Sequence, residues 1–134
     1  MAFSGTYELQ SHENFESFMK AIGIPDDAIQ KCKDLKTITE IVQNGNHFVI
    51  TMTTGPSVLR NEFTVGEEAE LESVTGKMKS VVNFVDGKLV VQLQDIQSVT
   101  ELSGELLICT LTCKGNVYKT VNKKRPWNSK LPLV

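Results

Sequence analysis

Histidine and cysteine are the side chains of this sequence best suited to nucleophilic or metal chemistry, and their spacing supports neither. His12-Glu13 begins like a zinc-binding helix motif, but no second histidine follows at the interval that would put two imidazoles on one helix face. The other histidine, His47, stands beside a turn. There is no G-x-S-x-G elbow, no P-loop and no nucleotide-binding glycine pattern. Cys109 falls at an inward position of a strand pattern, yet no inward histidine is evident to activate it. An enzyme is not expected, and no metal or cofactor is implied.

The three cysteines, Cys32, Cys109 and Cys113, are an odd and sparse set for a disulfide scaffold. Cys109 and Cys113 lie in one alternating run, where about 3.3 Å per residue sets their Cα atoms roughly 13 Å apart. That is beyond the roughly 7 Å a disulfide tolerates. All three read as free thiols.

A different chemistry is written in NVYKTVNKK, Asn116 to Lys124. With Lys119 and Lys123 in water, strand alternation turns Tyr118, Thr120 and Asn122 inward, an uncharged face rich in hydrogen-bonding groups. The same sorting by charge applies elsewhere. ELLICTLTC presents Leu107, Cys109 and Leu111, and KLVVQLQ presents Leu89, Val91 and Leu93. VLRNEFTV sends Arg60 and Glu62 out and leaves Leu59, Asn61 and Phe63 within. HFVITMT contributes Phe48, Ile50 and Met52, and TITEIV contributes Thr39 and Ile41. Thr100 faces in because Glu101 must face out. The run AELESVT stays open: either Glu70, Glu72 and Val74 face in, or Leu71 and Ser73 do. The candidate lining takes Glu72 and Val74.

Such a lining is mostly aliphatic with scattered neutral polar groups. Buried hydroxyls and amides need partners, so they suit a cavity that holds water and a mostly apolar ligand. The alternative is that Thr39, Asn61, Thr100 and Asn122 hydrogen-bond one another as structure.

Two kinds of element must position these residues. In SHENFESFMKAIG the apolar residues Phe15, Phe18, Met19 and Ile22 form one helical stripe, which Gly23 ends. Pro25 opens a second short helix with Asp26 and Asp27 in its first turn. From Thr37 onward, alternating runs are punctuated by turn glycines, most of them about ten or eleven residues apart, the rhythm of an antiparallel meander. The long gap between Gly87 and Gly104 implies a non-glycine turn near Asp95. With FSGTYELQ as the first, about ten strands are expected. Closing such a sheet into an up-and-down β-barrel removes its edges, and the helix-turn-helix, about residues 14–34, would cap one end with Phe18 facing the interior. A two-sheet sandwich with a solid core is the alternative.

With 134 residues the chain suits one domain, and a formal net charge of −2 with signs mixed along it argues against nucleic acid. No apolar run is long enough to cross a bilayer as a helix, and MAFSGTYELQ lacks the features of a secretory signal. A cytoplasmic monomer is the expectation.

Gly5-Thr6-Tyr7 followed by Asn14-Phe15-Glu16-Ser17-Phe18-Met19 resembles the N-terminal signature of the intracellular lipid-binding proteins. KAIGIP, EIVQNGNHF, NEFTVGEE and SVTELSG are similar to the liver-type fatty-acid-binding branch. The likeness runs from Met1 to about Arg125. It implies a ten-stranded clam-like barrel with a two-helix lid, carrying long-chain fatty acids and other lipophiles such as acyl-CoA, bile acids, haem or monoacylglycerol. By resemblance, Thr39 keeps a hydroxyl near a bound carboxylate, and Asn61, Phe63 and Thr100 match cavity positions. Lys31 and Lys33 match a basic lid surface thought to meet anionic membranes.

The chain departs from that pattern at Thr120, where the family places an inward arginine that binds the carboxylate. Its only arginines, Arg60 and Arg125, share outward parity. Cys109 and Asn122 also replace more usual polar partners. The tail from Pro126 to Val134 extends past the usual end, and Pro126 and Pro132 mark it as a mobile appendage. A relative that carries little lipid and works through its surface or tail is the alternative function.

Overall fold

Tight turns set the strand boundaries. Asp86-Gly87 and Lys114-Gly115 both hold positive φ at two successive residues, the geometry that matches the twist of a two-residue hairpin. Accordingly Val85 pairs with Lys88, and Cys113 with Asn116. The computed structural model describes residues 3–32, 35–73, 76–93 and 96–125. The expected turn at Asp95, Val74, Lys33 and the tail from Pro126 lie outside them.

The described elements are β1 (Gly5–Glu13), α1 (Phe15–Ala21), α2 (Asp26–Cys32), β2 (Thr37–Asn44), β3 (His47–Thr54), β4 (Ser57–Thr64), β5 (Glu68–Ser73), β6 (Gly76–Val81), β7 (Asn83–Val85), β8 (Lys88–Leu93), β9 (Ile96–Ser103), β10 (Leu106–Cys113) and β11 (Asn116–Lys124). Nine strands form one antiparallel sheet in the order β4-β3-β2-β1-β11-β10-β9-β8-β7, and β5 pairs with β6 as a separate hairpin. The sheet curls into a β-clam, with β1 inserted between β2 and β11 to join the two ends of the meander.

Eleven strands replace the ten expected from sequence, because residues 76–85 change partner at Val82. Up to Val81 they pair with β5, and from Asn83 they pair with β8. At the break the Val82 carbonyl accepts the Gly66 N–H at 2.8 Å.

The β5–β6 hairpin is held at its two flanks by side chains. On the β4 side, the Asn61 amide donates to the Glu72 carbonyl at 3.0 Å and its oxygen accepts the Glu72 N–H at 2.6 Å. On the β8 side, the Ser80 hydroxyl donates to the Gln92 carbonyl at 2.7 Å.

The lid follows from its apolar stripe. Phe18 and Met19 of α1 and Ile29 of α2 are buried with Ile96 and Cys113, and Phe15, Ile22, Ile24, Leu93, Leu111 and Tyr118 pack around them. Asn14, in the left-handed region with φ 63°, starts α1, and its amide donates to the Val117 carbonyl on β11 at 3.1 Å. Asparagine tolerates that conformation better than most residues. A second cluster fills the far end: Phe3, Tyr7, Ile41, Phe48, Phe63, Leu71, Val82, Leu89 and Leu107. There Phe48 stacks on Phe63 with ring centroids 5.3 Å apart, and Phe3 meets Phe48 edge-on at 5.8 Å.

Asn61→Ala should remove both hydrogen bonds to Glu72 and cost about 1–3 kcal/mol. Amide exchange should quicken in Glu68–Val81 while β10 and β11 keep their protection. Uniform acceleration across all strands would contradict the role of Asn61 as a local clip.

Candidate functional site

The two clusters leave a middle layer between them, and strand register reads out its composition. Along β10, Leu107 belongs to the basal cluster, while Leu111 and Cys113 belong to the lid cluster. Cys109 lies between them in the strand and packs, half-buried, against the basal cluster. Along β11, Asn122 pairs with Leu107, Thr120 with Cys109, and Tyr118 with Leu111. On β9, Thr100 stands opposite Cys109.

The other candidate lining residues divide by layer. Ile41, Phe48, Phe63 and Leu89 are buried in the basal cluster, against which Ile50 and Val91 pack half-buried. Phe18 and Leu111 sit under the lid. Thr39 is buried between β1 and β3, opposite Met52, which pairs in turn with Leu59. Met52 is 38% exposed. On β5 it is Leu71 that is buried in the aromatic base; Glu72 is half-buried, and Asn61 holds it through its backbone.

A polar band crosses β9, β10 and β11 in the middle layer. Asn122 donates to the Leu107 carbonyl at 3.1 Å and to the Thr120 hydroxyl at 3.3 Å. Thr120 and Thr100 stand opposite Cys109 on its two sides, and their hydroxyls favour its thiolate. Burial pushes the Cys109 thiol up more than those hydroxyls pull it down, so it stays a protonated thiol and a poor nucleophile. Burial, helped by Cys109, pushes the Tyr118 phenol up to about 12, so it remains a neutral group. Its ring lies under the lid, with centroids 5.7 Å from Phe18 and 5.6 Å from Phe15.

The arginines stand outside this band. Arg60 is exposed and pairs with Glu62 at 3.4 Å. Arg125 donates to Glu8 at 2.8 Å, while its N–H bonds the Thr6 carbonyl and extends β11 along β1. Lys119 and Lys123 alternate outward on β11. Lys31 is exposed in the last turn of α2.

His12 is exposed but shares the face of Thr120, a placement that the parity of FSGTYELQ concealed. Between Leu9 and Ser11 the pairing of β1 with β11 slips by one residue, so Gln10 is left over and His12 stands opposite Thr120. Directly opposed residues of an antiparallel pair share a face. The His12 ring meets Phe15 at 5.6 Å and Tyr118 at 6.3 Å. A bulge carries little trace in a lone sequence.

Tyr118 yields a pH prediction. A phenol that ionises near 12 when folded and near 10 when unfolded stabilises the fold fully below pH ~10. That contribution is lost as pH rises through about 12. The denaturation midpoint should therefore fall more steeply above pH ~10 in the natural protein than in Tyr118→Phe; parallel curves would show that burial does not hold the phenol neutral.

A sequence model described as the lipocalin / cytosolic fatty-acid binding protein family matches residues 1–126. Fatty acid-binding protein 1, liver, of Ambystoma mexicanum is 60% identical over 125 residues, which are 92% of this chain and 99% of that one. The liver fatty acid-binding protein of Sus scrofa is 54% identical over 126 residues, again 92% of this chain and 99% of the relative. Among solved structures, zebrafish ileal bile acid-binding protein complexed with cholic acid superposes with a TM-score of 0.83 at 42% identity, covering 93% of this chain and all of that one. These relatives are binding proteins, not enzymes. On this evidence the chain belongs to the lipocalin / cytosolic fatty-acid binding protein family.

Proposed function

We propose that this protein is a cytoplasmic, monomeric carrier that holds a long-chain lipophile in the layer between base and lid. We further propose that its head-group preference is shifted away from a carboxylate buried in mid-barrel. The observation that carries this reading is the polar band: Cys109, Thr100, Thr120 and Asn122 offer hydroxyls, a thiol and an amide, with both arginines engaged by carboxylates elsewhere. The liver fatty acid-binding relatives and the cholic acid complex support a lipophilic ligand. Fatty acid, acyl-CoA, bile acid and monoacylglycerol are the classes to compare.

Magnitudes favour retained binding with altered selectivity. Burying a chain of about sixteen carbons gains on the order of 12 kcal/mol gross at about 0.8 kcal/mol per methylene. A charge-assisted hydrogen bond adds about 1.5–3 kcal/mol. Without a cation, a carboxylate placed in mid-barrel costs several kcal/mol of desolvation. The ligand is therefore neutral, enters protonated, or directs its carboxylate toward the lid and solvent.

Displacement of a fluorescent fatty acid by palmitate, a monoacylglycerol and a bile salt tests this directly. The monoacylglycerol should compete at least as well as palmitate, and Thr120→Arg should strengthen palmitate binding about tenfold or more at neutral pH. If Thr120→Arg folds and leaves palmitate affinity unchanged, the head-group argument is wrong. Native mass spectrometry of purified protein should show co-purified lipid; a persistently empty barrel would favour a role through surface or tail contacts.

Lys31 on α2, with its sequence neighbour Lys33, supports transient contact with anionic membranes during transfer. Lys31→Glu should slow transfer of a fluorescent ligand to anionic vesicles, and the natural protein should lose the same advantage at high salt. Equal rates would remove the membrane from the proposal.

A further inference from the structure

We propose that His12 is the cation of this site: its imidazolium, at the lid rim opposite Thr120, binds the anionic head group of an amphiphile whose tail fills the interior, and so makes anion binding depend on pH. The inference rests on the carrier reading above and adds where the head group lies and what controls its attraction.

The slip in register between Leu9 and Ser11 gives His12 the face of Thr120, two residues along β11 from Tyr118. Its ring lies against Phe15 of α1 and Tyr118 of β11, so it borders the inner face where the lid meets the sheet. The segment is fixed there, because Asn14 begins α1 and bonds the Val117 carbonyl. His12 is exposed, so its charged form keeps water while reaching an anion under the lid. A head group there sits within reach of the neutral Tyr118 and Thr120 hydroxyls as well. This is the direction left for a carboxylate that mid-barrel does not accept.

The charged surroundings suit the task. Among the described residues, the inner-face titratable groups include Tyr118 on β11 and Cys109 on β10, both held neutral by burial, with the thiol of Cys113 buried under the lid and the phenol of Tyr7 in the basal cluster. On β1 and β11, Glu13 pairs in register with Lys119, the next position on the alternate face. The lid helix α1 contributes Glu16 in its first turn and Lys20 in its last, with Lys20 paired to Asp26 of α2. Among the described residues, the histidine that pairs with a carboxylate is His47, at 2.8 Å from Glu62. His12 is thus free to take its counter-ion from a ligand.

Hexadecyl sulfonate, anionic throughout this range, and a neutral monoacylglycerol of matching chain length separate the outcomes. Affinity for the sulfonate, relative to the monoacylglycerol, should rise about fivefold as pH falls from about 8 to about 5.5. His12→Gln should flatten that ratio, His12→Lys should hold it high at both ends, and His47→Gln should retain the slope. In proton NMR the His12 imidazole should titrate at higher pH with sulfonate bound than with monoacylglycerol bound. The inference is overturned if monoacylglycerol binds while the sulfonate ratio is flat with pH, or if the slope survives in His12→Gln. Failure of both amphiphiles to bind overturns the carrier reading and this inference with it.

Discussion

Backbone hydrogen bonds between β1 and β11 join the two ends of the meander, and the interior takes its form from that pairing. Without it, β1 and β11 would each expose a row of unpaired N–H and C=O groups, and the sheet would have no reason to curl shut. The pairing also reaches beyond the strand ends: Arg125 bonds the Thr6 carbonyl and the Glu8 carboxylate. One residue of slippage within it decides which side chains look inward at the lid, because strand side chains alternate with a period of two. His12 opposite Thr120 is a product of that slip.

Inside, the chemistry is governed by what low dielectric permits. A hydroxyl, thiol or amide can be held there if it finds a partner: Asn122 bonds Thr120 and the Leu107 carbonyl, and Cys109 faces Thr120 and Thr100 across the ladders. Burial keeps Cys109 and Tyr118 protonated, so the band offers neutral hydrogen-bonding groups where an arginine would have offered charge. Apolar burial still supplies most of the attraction for a long alkyl chain. The polar band acts on the other end of the ligand, where a few kcal/mol separate one head group from another.

The wall around that interior is not uniform. Ladders bind nine strands into one sheet, whereas the β5–β6 hairpin hangs at its flanks on Asn61 and Ser80. Side-chain clips satisfy a few backbone groups at each seam, where a ladder would satisfy every second one. Opening such a seam breaks fewer bonds, so the hairpin is the part of the wall that local opening reaches most readily.

Much of this was legible in the residues themselves. Lysines at 119 and 123 dictate the parity of β11, the stripe Phe15, Phe18, Met19 dictates a lid helix, and glycines at 87 and 115 place the hairpin turns. Each of these is local: a charge avoids burial, a helix has its period, a positive φ suits glycine. The sequence also shows the family likeness and the threonine at position 120. Other features needed the assembled sheet. At the strand break the Val82 carbonyl meets the Gly66 N–H, a partner distant in sequence. Asn61 serves Glu72 because β4 and β5 separate there, and Leu71 rather than Glu72 is buried because the aromatic base lies on its side of the hairpin. His12 gained its place opposite Thr120 from a register shift. Where charges mark the alternation and no bulge interrupts it, direction along a strand is a property of neighbours in the chain, so the sequence determined it; the partner a side chain meets depends on register between segments far apart, which only tertiary pairing decided.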